Sequence, residues 1–296
     1  MEFKCEMKGV CVPMVTPMTE EEDVDYNSLE NLTEYLIKEG ADTLYPCGTT
    51  GETIYLTPEE RIKVVRTTIK AANHKVPVFA QVGGCNTRIS RQLAEEAISD
   101  GADGLGILTP IYYHMSEDEM FRYYSDILAV VPENVPVYLY GIPFCAANQL
   151  SFETVSGIAE SFPNVRGIKY SVGDVLTLMQ FMKIRNGSFH VLVAPAQMLL
   201  PALAAGVNGI VSGTCNIFAS EIKDLMKTFE SGDIKKCQNL QKKVGELATL
   251  IAVKEVQCCK SVLVKRKVIR SDNVRSPRIR LTEAEKTELF KQLNNC

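Results

Sequence analysis

The chain has 296 residues, of which 46% are hydrophobic and 23% charged, and its formal net charge is −4. This composition is ordinary for a globular protein with a substantial core. The acidic balance argues against a nucleic-acid-binding protein, because such domains are usually strongly basic.

The sequence carries no pattern typical of export or membrane insertion. The segment up to Pro13 lacks a signal-peptide pattern, and no apolar run elsewhere reaches the roughly 18 residues that span a bilayer. Ten cysteines are present, and without a secretory signal we expect reduced thiols rather than a disulfide framework. We therefore expect a cytoplasmic protein that does not contact a membrane.

Apolar segments of strand length alternate with longer segments of helical period. The strand candidates are rich in Val, Ile, Leu and Tyr and nearly free of charge, which is typical of parallel strands buried on both faces. They are residues 9–17, 43–50, 77–84, 104–110, 135–143, 165–171, 189–195 and 209–216.

Signals for helix starts lie between the strand candidates. Thr57 is a cap followed by a proline at the first helical position, and Glu60 completes a capping box. Ser116 precedes an acidic first turn, as a cap residue does. Ser151 and Ser220 are further cap candidates.

The joints from helix to strand repeat, since a glycine ends the helix before the next strand at Gly40, Gly101 and Gly206. This repetition indicates a recurring βα module. Eight such modules predict an α/β fold with a closed parallel (β/α)8 barrel, a TIM barrel, which typically needs about 250 residues. An open doubly wound sheet is the alternative, but it usually has fewer strands, and its glycine-rich nucleotide motif is absent here.

Residues 1–219 are expected to form the barrel, and residues 220–296 the last barrel helix and a C-terminal helical extension packed on the barrel. Helices are predicted over 220–230, 234–254 and 282–293. A detached tail is less favoured, because the apolar periodicity continues. Residues 254–280 are locally basic, and in an acidic chain this indicates a solvated helix face and loop rather than a nucleic-acid or targeting patch.

Lys169 is the only lysine inside any strand candidate. Active sites of such barrels lie at the carboxyl ends of the strands. Because burial disfavours the ammonium form, this position favours a neutral, nucleophilic amine. A lysine paired with a buried carboxylate is the alternative, although the only nearby acid is Glu52, after the second strand.

Two other strand ends carry polar groups. The turn Gly48-Thr49-Thr50-Gly51-Glu52 offers amides and hydroxyls suited to a carboxylate. Tyr140, late in the fifth strand, could transfer protons or be a core tyrosine. The three histidines lie far apart in the sequence and no Gly-x-Ser-x-Gly elbow occurs, so neither a metal site nor a hydrolase triad is indicated.

Three motifs in this order resemble the N-acetylneuraminate lyase and dihydrodipicolinate synthase family. They are Gly48-Thr49-Thr50-Gly51-Glu52, Tyr140-Gly141-Ile142-Pro143 and Gly167-Ile168-Lys169, on strands two, five and six. The resemblance extends from Gly9 to about Asn216, followed by helices as in the family.

The resemblance implies that this is a class I aldolase that forms a Schiff base between Lys169 and pyruvate. It implies that Thr49 and Thr50 hold the pyruvate carboxylate and that Tyr140 is the proton shuttle. Thr49 would link Tyr140 to Tyr112, a tyrosine that in some members reaches a neighbouring subunit's site. It also implies a homotetramer built as a dimer of dimers, and no metal or organic cofactor.

The branch within the family is set by residues around the second substrate. Synthases carry an arginine shortly after Tyr-x-x-Pro, whereas this chain has Phe144-Cys145-Ala146-Ala147. The run Thr109-Pro110-Ile111-Tyr112-Tyr113 and the hydroxyl of Ser171 are more similar to the lyase branch. The acids that lyases place after strand seven are replaced by Ala194-Pro195-Ala196-Gln197, where only Gln197 keeps hydrogen-bonding capacity, and Gly213 stands where lyases often have serine.

The first hypothesis is therefore an aldolase, a carbon–carbon lyase that releases pyruvate from N-acetylneuraminate or a related 2-oxo-3-deoxy sugar acid. The alternative is a dihydrodipicolinate synthase that condenses pyruvate with aspartate semialdehyde. A barrel that binds a 2-oxo acid without catalysis is the third hypothesis. The expected partners are a 2-oxo acid and an aldehyde or sugar, with Gly48, Ser171, Gln197 and Gly213 as further substrate-binding candidates.

Overall fold

A computed structural model of the chain describes residue 3 and residues 5–294. Its eight strands are all parallel and adjacent in the order β2-β1-β8-β7-β6-β5-β4-β3, and a parallel bridge from Leu44 to Val78 joins the two ends. The strands are β1 (Gly9–Pro13), β2 (Thr43–Tyr45), β3 (Phe79–Gln81), β4 (Gly104–Leu108), β5 (Val137–Gly141), β6 (Val165–Tyr170), β7 (His190–Val193) and β8 (Gly209–Val211). The predicted (β/α)8 barrel is confirmed.

Helices follow each strand and continue beyond the last one. They are α1 (Tyr26–Lys38), α2 (Pro58–Ala72), α3 (Thr87–Ser99), α4 (Glu117–Leu128), α5 (Phe152–Ser161), α6 (Val175–Phe181), α7 (Leu199–Ala205), α8 (Cys215–Glu230), α9 (Ile234–Ile251), α10 (Glu255–Lys265) and α11 (Glu283–Leu293). Their buried faces pack on the barrel and form one large apolar core.

All eight strand predictions are confirmed, but the strands end earlier than their apolar runs. The second run, residues 43–50, is the clearest case, because β2 stops at Tyr45. Pro46 offers no backbone N–H for a ladder, and Cys47 follows with a left-handed φ of 60°. The remaining residues of the run are therefore free to form a turn at the mouth of the barrel.

The helix signals were largely correct. Thr57 and Ser116 both cap their helices through complete capping boxes, and Ser151 caps α5. Ser220 was a wrong prediction, because α8 already begins at Cys215 and has one non-helical residue, Phe218, before Ser220. The three joint glycines have left-handed φ values between +90° and +105°, as their role at helix ends requires.

The extension differs from its prediction. The helix expected over 234–254 ends at Ile251, a 3-10 turn follows, and α10 covers part of the stretch interpreted as solvated. Eight of its 11 residues, from Val256 to Leu263, are buried. The local excess of lysine and arginine was misleading, because the helical period of the apolar residues decides which face is buried.

A fully buried ion pair joins α10 to the turn after β2. Nζ of Lys260 lies 2.6 Å from Oε1 of Glu52, and neither side chain is exposed. Lys260 also donates to the carbonyl of Asn273, and the second oxygen of Glu52 accepts from the backbone N–H of Arg275. Arg275 in turn pairs with Glu60 at 2.6 Å. Every charge in this set is partnered, so the extension and the barrel mouth are held as one unit.

No helix within the described residues is both long and apolar enough to span a bilayer. The nine cysteines of the described part of the chain are free thiols, which agrees with the expectation of reduced cysteines.

Replacing Lys260 by methionine should lower the free energy of unfolding by about 3–5 kcal/mol, because it leaves the Glu52 carboxylate buried without a counter-ion. Urea denaturation followed by circular dichroism measures the change. Arg122→Ala is the matched control, since its pair with Asp126 spans 3.9 Å on an exposed face and should give no measurable loss. The double variant Glu52→Gln with Lys260→Met should regain part of the loss; a double variant less stable than Lys260→Met would contradict this explanation.

Candidate active site

A cavity of about 260 Å³ opens at the carboxyl ends of the strands. It is bounded by the ends of β5 to β8, by the turn after β2 and by the C-terminal extension. Most of the site residues proposed from sequence meet there, and the lining includes Thr49, Thr50, Tyr140, Lys169, Ser171, Gln197, Gly213 and Glu255. The location is the one at which barrels of this type place their chemistry.

Lys169 lies in β6 between Tyr140 of β5 and Leu192 of β7, and only 3% of it is exposed. Its Nζ lies 3.8 Å from the centre of the Tyr140 ring and 5.0 Å from that of Tyr45. No carboxylate of the described residues forms an ion pair with it, because Glu52 pairs with Lys260 instead. The alternative of a structural ion pair at Lys169 is therefore not supported.

The phenol of Tyr140 is held by a hydrogen bond to Thr49. The two oxygens are 3.1 Å apart, and either can be the donor. Tyr140 is 1% exposed, so its hydroxyl faces the cavity beside the lysine and not bulk solvent. This arrangement lets a proton pass between the phenol, the threonine and a group bound at Lys169.

The turn that carries Thr49 is tightly fixed. A Cβ at Gly51 would lie 2.9 Å from the carbonyl oxygen of Met14, and the hydroxyl of Thr16 donates to the Gly51 carbonyl at 2.7 Å. Glu52 closes the turn with a left-handed φ of 60° and is secured by Lys260. Gly48 packs closely against the ring of Tyr45, since a Cβ there would lie 3.3 Å from Cε1 of that ring, but Gly48 does not line the cavity.

Tyr112 is the one proposed catalytic residue that the chain does not bring into its own cavity. Its side chain is 80% exposed, and its backbone has a φ of 85°. Its ring packs edge-on against Tyr113, which is also exposed. A left-handed conformation in a bulky residue costs free energy and is retained where the position has a use.

Glu255, at the start of α10, was missed from the sequence. It lines the cavity, and it forms no hydrogen bond or ion pair with any described residue. Burial raises the pKa of its carboxyl group, while the charges of Lys169 and Arg278 act in the opposite direction. The sequence could have revealed it, because the helical period places Glu255 on the same face as the buried residues Cys258, Cys259 and Val262.

A cation also approaches the mouth from the extension. The guanidinium of Arg278 lies over the ring of Tyr55 and acts electrostatically on both Glu255 and Cys145. Partial desolvation raises the pKa of the Cys145 thiol, and Arg278 lowers it. Arg278 is therefore close to the stretch in which the sequence showed no positive charge.

No group of three or more His, Cys, Asp or Glu side chains that could hold a metal ion occurs within the described part of the chain. Beside apolar residues, the described lining carries the amine of Lys169, several hydroxyl side chains, the amide of Gln197 and the carboxylate of Glu255. Such a set suits covalent catalysis by an amine with proton transfer by a phenol.

Comparison with known proteins places this geometry in a family. The model of the dihydrodipicolinate synthetase family matches residues 6–296. The 4-hydroxy-tetrahydrodipicolinate synthase of Oceanobacillus iheyensis is 32% identical over 235 residues, which is 79% of both chains. The crystal structure of a dihydrodipicolinate synthase from Bacillus anthracis superposes with a TM-score of 0.93 at 29% identity, covering 98% of this chain and 99% of that one. A prophage protein of the same family from E. coli, solved in complex with pyruvate, gives a TM-score of 0.93 at 28% identity with the same coverage.

Proposed function

The chain belongs to the dihydrodipicolinate synthetase family, and we propose that it joins pyruvate to aspartate semialdehyde through an imine on Lys169, which is the 4-hydroxy-tetrahydrodipicolinate synthase reaction. The observation that carries the proposal is Lys169, a buried amine without a carboxylate partner, beside a phenol fixed by Thr49. The names of the curated relatives support the choice of aldehyde, and the pyruvate in the E. coli structure supports the choice of 2-oxo acid. Cleavage of a sialic acid, the first hypothesis from the sequence, has less support.

The first step is imine formation. The amine of Lys169 attacks the carbonyl carbon of pyruvate, and the resulting carbinolamine takes up a proton and loses water to give a protonated imine. The pyruvate carboxylate would bind at Thr49 and Thr50, which line the cavity and can offer amide and hydroxyl donors. This anchor fixes the methyl group of pyruvate relative to Tyr140.

The second step makes the carbon–carbon bond. The imine withdraws electrons, so the methyl carbon loses a proton to water in the cavity and becomes the nucleophilic end of an enamine. That carbon attacks the aldehyde carbon, and the oxygen of the former aldehyde takes a proton from Tyr140. The amino group of the aldehyde substrate can then attack the imine carbon, which closes a ring and frees Lys169. The proposed steps use no metal and no organic cofactor.

Arg278 can replace the cation that the sequence lacks after Tyr-x-x-Pro. Its electrostatic effect on Cys145 and on Glu255, which lines the cavity, supports this role. A carboxylate at the far end of the aldehyde substrate could pair with this guanidinium. The extension, and not the β5 loop, would then bind that carboxylate.

The second candidate function is pyruvate release from a 2-oxo-3-deoxy sugar acid. The specific observation in its favour is the stretch 144–147 after Tyr140, which contains no arginine and in which Phe144 is 75% exposed. Ser171 adds a hydroxyl to the lining of the same cavity. Measuring pyruvate release from N-acetylneuraminate, against pyruvate consumption with aspartate semialdehyde, separates the two candidates.

We also propose that the enzyme assembles so that Tyr112 enters the site of a neighbouring subunit, within a homotetramer. The exposed, left-handed Tyr112 supports this, because a solvated side chain alone gives no reason for the strained backbone. In the neighbouring site it would extend the hydrogen bond between Thr49 and Tyr140 by a second phenol.

Incubation with pyruvate and borohydride should add one reduced pyruvate unit to Lys169, because the imine becomes a stable secondary amine. Mass spectrometry of the digested protein locates the adduct. Lys169→Ala should show none, whereas Lys260→Met, which removes the other buried lysine, should still be labelled if it folds. Absence of an adduct on the wild-type chain at saturating pyruvate would refute the proposed function.

Tyr140→Phe should lower kcat by about 100-fold or more, because the proton carrier is lost, while the pyruvate adduct still forms. Tyr138→Phe is the matched control. Tyr138 is also buried in β5, but its hydroxyl accepts from the N–H of Met7 and contacts His190, away from the cavity. Equal losses of kcat in the two variants would mean that Tyr140 has only a structural role.

Tyr112→Phe should lower kcat by about tenfold or more, because the second phenol is lost, without changing the size of the assembly. Tyr113→Phe, an equally conservative change in the adjacent exposed ring, should leave kcat intact. Steady-state kinetics and analytical ultracentrifugation measure the two effects. A monomeric wild-type enzyme at full activity would exclude a contribution from a neighbouring subunit.

A further inference from the structure

Glu255 lines the cavity, and no step of the proposed reaction uses its carboxylate. We infer that Glu255 selects the aldehyde substrate by binding its positively charged amino group, which is carried two carbons from the reactive aldehyde carbon, an inference that rests on the proposed function. The aldehyde class is then an amino-acid semialdehyde, and the C-terminal extension determines specificity.

The first support is the space around Gly213. A Cβ at this position would lie 2.2 Å from Oε2 of Glu255, so the carboxylate occupies the volume that any other side chain would need. Gly213 and Glu255 both line the cavity, at the end of β8. Gly213 thus makes room for a carboxylate that enters from α10, in a barrel whose strand seven is followed by no acid of its own.

The second support is that no side chain or backbone group of the described residues makes a direct polar contact with this half-buried carboxylate, on which Lys169 and Arg278 act only electrostatically. Among the described residues it accepts no hydrogen bond and forms no ion pair. Glu52 differs, because it pairs with Lys260 and also accepts from the backbone N–H of Arg275. Removing a carboxylate from bulk water is costly unless a donor compensates it. A substrate that brings a donor recovers that cost only when it is bound, which is how a site gains selectivity.

The third support is position relative to pyruvate. Pyruvate would be fixed between the Thr49–Thr50 turn and Lys169, and its own carboxylate is repelled by Glu255. The pyruvate carboxylate, held at the Thr49–Thr50 turn, is therefore not the group that Glu255 would bind. The remaining group near Glu255 is the aldehyde-derived half, and an ammonium group complements the carboxylate better than a neutral hydroxyl does.

The test compares two aldehydes that differ only in the amino group, L-aspartate 4-semialdehyde and succinate semialdehyde. Wild-type enzyme loaded with pyruvate is mixed with each aldehyde, quenched with borohydride, and the rate at which the Lys169 adduct gains the mass of the aldehyde is measured. This readout reports carbon–carbon bond formation before the amino group is needed for ring closure. The wild-type enzyme should react faster with aspartate semialdehyde.

Glu255→Gln should reduce this preference by about tenfold or more, since one charged hydrogen bond is lost, while the pyruvate adduct forms as before. Gly213→Ala should reduce it in the same direction, because the added methyl displaces the carboxylate. Glu246→Gln, which neutralises an exposed glutamate on α9, is the matched control and should keep the wild-type preference. Formation of the pyruvate adduct also shows that each variant is folded.

The outcomes separate this inference from the proposed function. No pyruvate adduct on the wild-type enzyme refutes the proposed function itself. Adduct growth with both aldehydes, at the same ratio in the wild type and in Glu255→Gln, refutes only the role of Glu255. A preference for a polyhydroxylated aldehyde such as N-acetylmannosamine that disappears in Glu255→Gln also overturns the assignment of an ammonium group.

Discussion

The buried pair of Glu52 and Lys260 is the interaction on which the site depends. Burying two charges is costly, and the cost is offset only when each has good partners, as both have here. Glu52 closes the turn that carries Thr49 and Thr50, and Lys260 lies on the helix that begins with Glu255. One ion pair therefore fixes the turn proposed to bind pyruvate relative to the helix proposed to select the aldehyde.

The two buried lysines show how environment divides one residue type into two roles. Lys260 has a carboxylate at 2.6 Å and a carbonyl acceptor, which stabilise its ammonium form, although burial lowers its pKa. Lys169 has no such carboxylate among the described residues and lies against aromatic rings instead. A paired lysine stabilises the fold, while an unpaired one is available for chemistry.

The sequence predicted the features that depend on neighbouring residues better than those that depend on residues far apart in the chain. The eight strands, the helix caps at Thr57 and Ser116 and the position of Lys169 in a strand depend on local pattern, and all of these were predicted correctly. The extension was misjudged where burial depends on a distant partner, since Lys260 pairs with a residue 208 positions away. Glu255 was missed for a different reason, because its helix was interpreted by charge and not by the local period of its apolar residues.

The distribution of charge suggests how a barrel of this family can change its second substrate without changing its first. Lys169 and Tyr140 lie in strands, where small shifts would break the sheet, and Thr49 lies in the turn after β2 and is hydrogen-bonded to Tyr140. Glu255 and Arg278 belong to the C-terminal extension, which is not part of the sheet. Glu255 lines the cavity, and Arg278 acts on it electrostatically. Chemistry common to all reactions of pyruvate can thus stay in the rigid barrel. The extension can vary the charge presented to the aldehyde, provided that Lys260 keeps it anchored to Glu52.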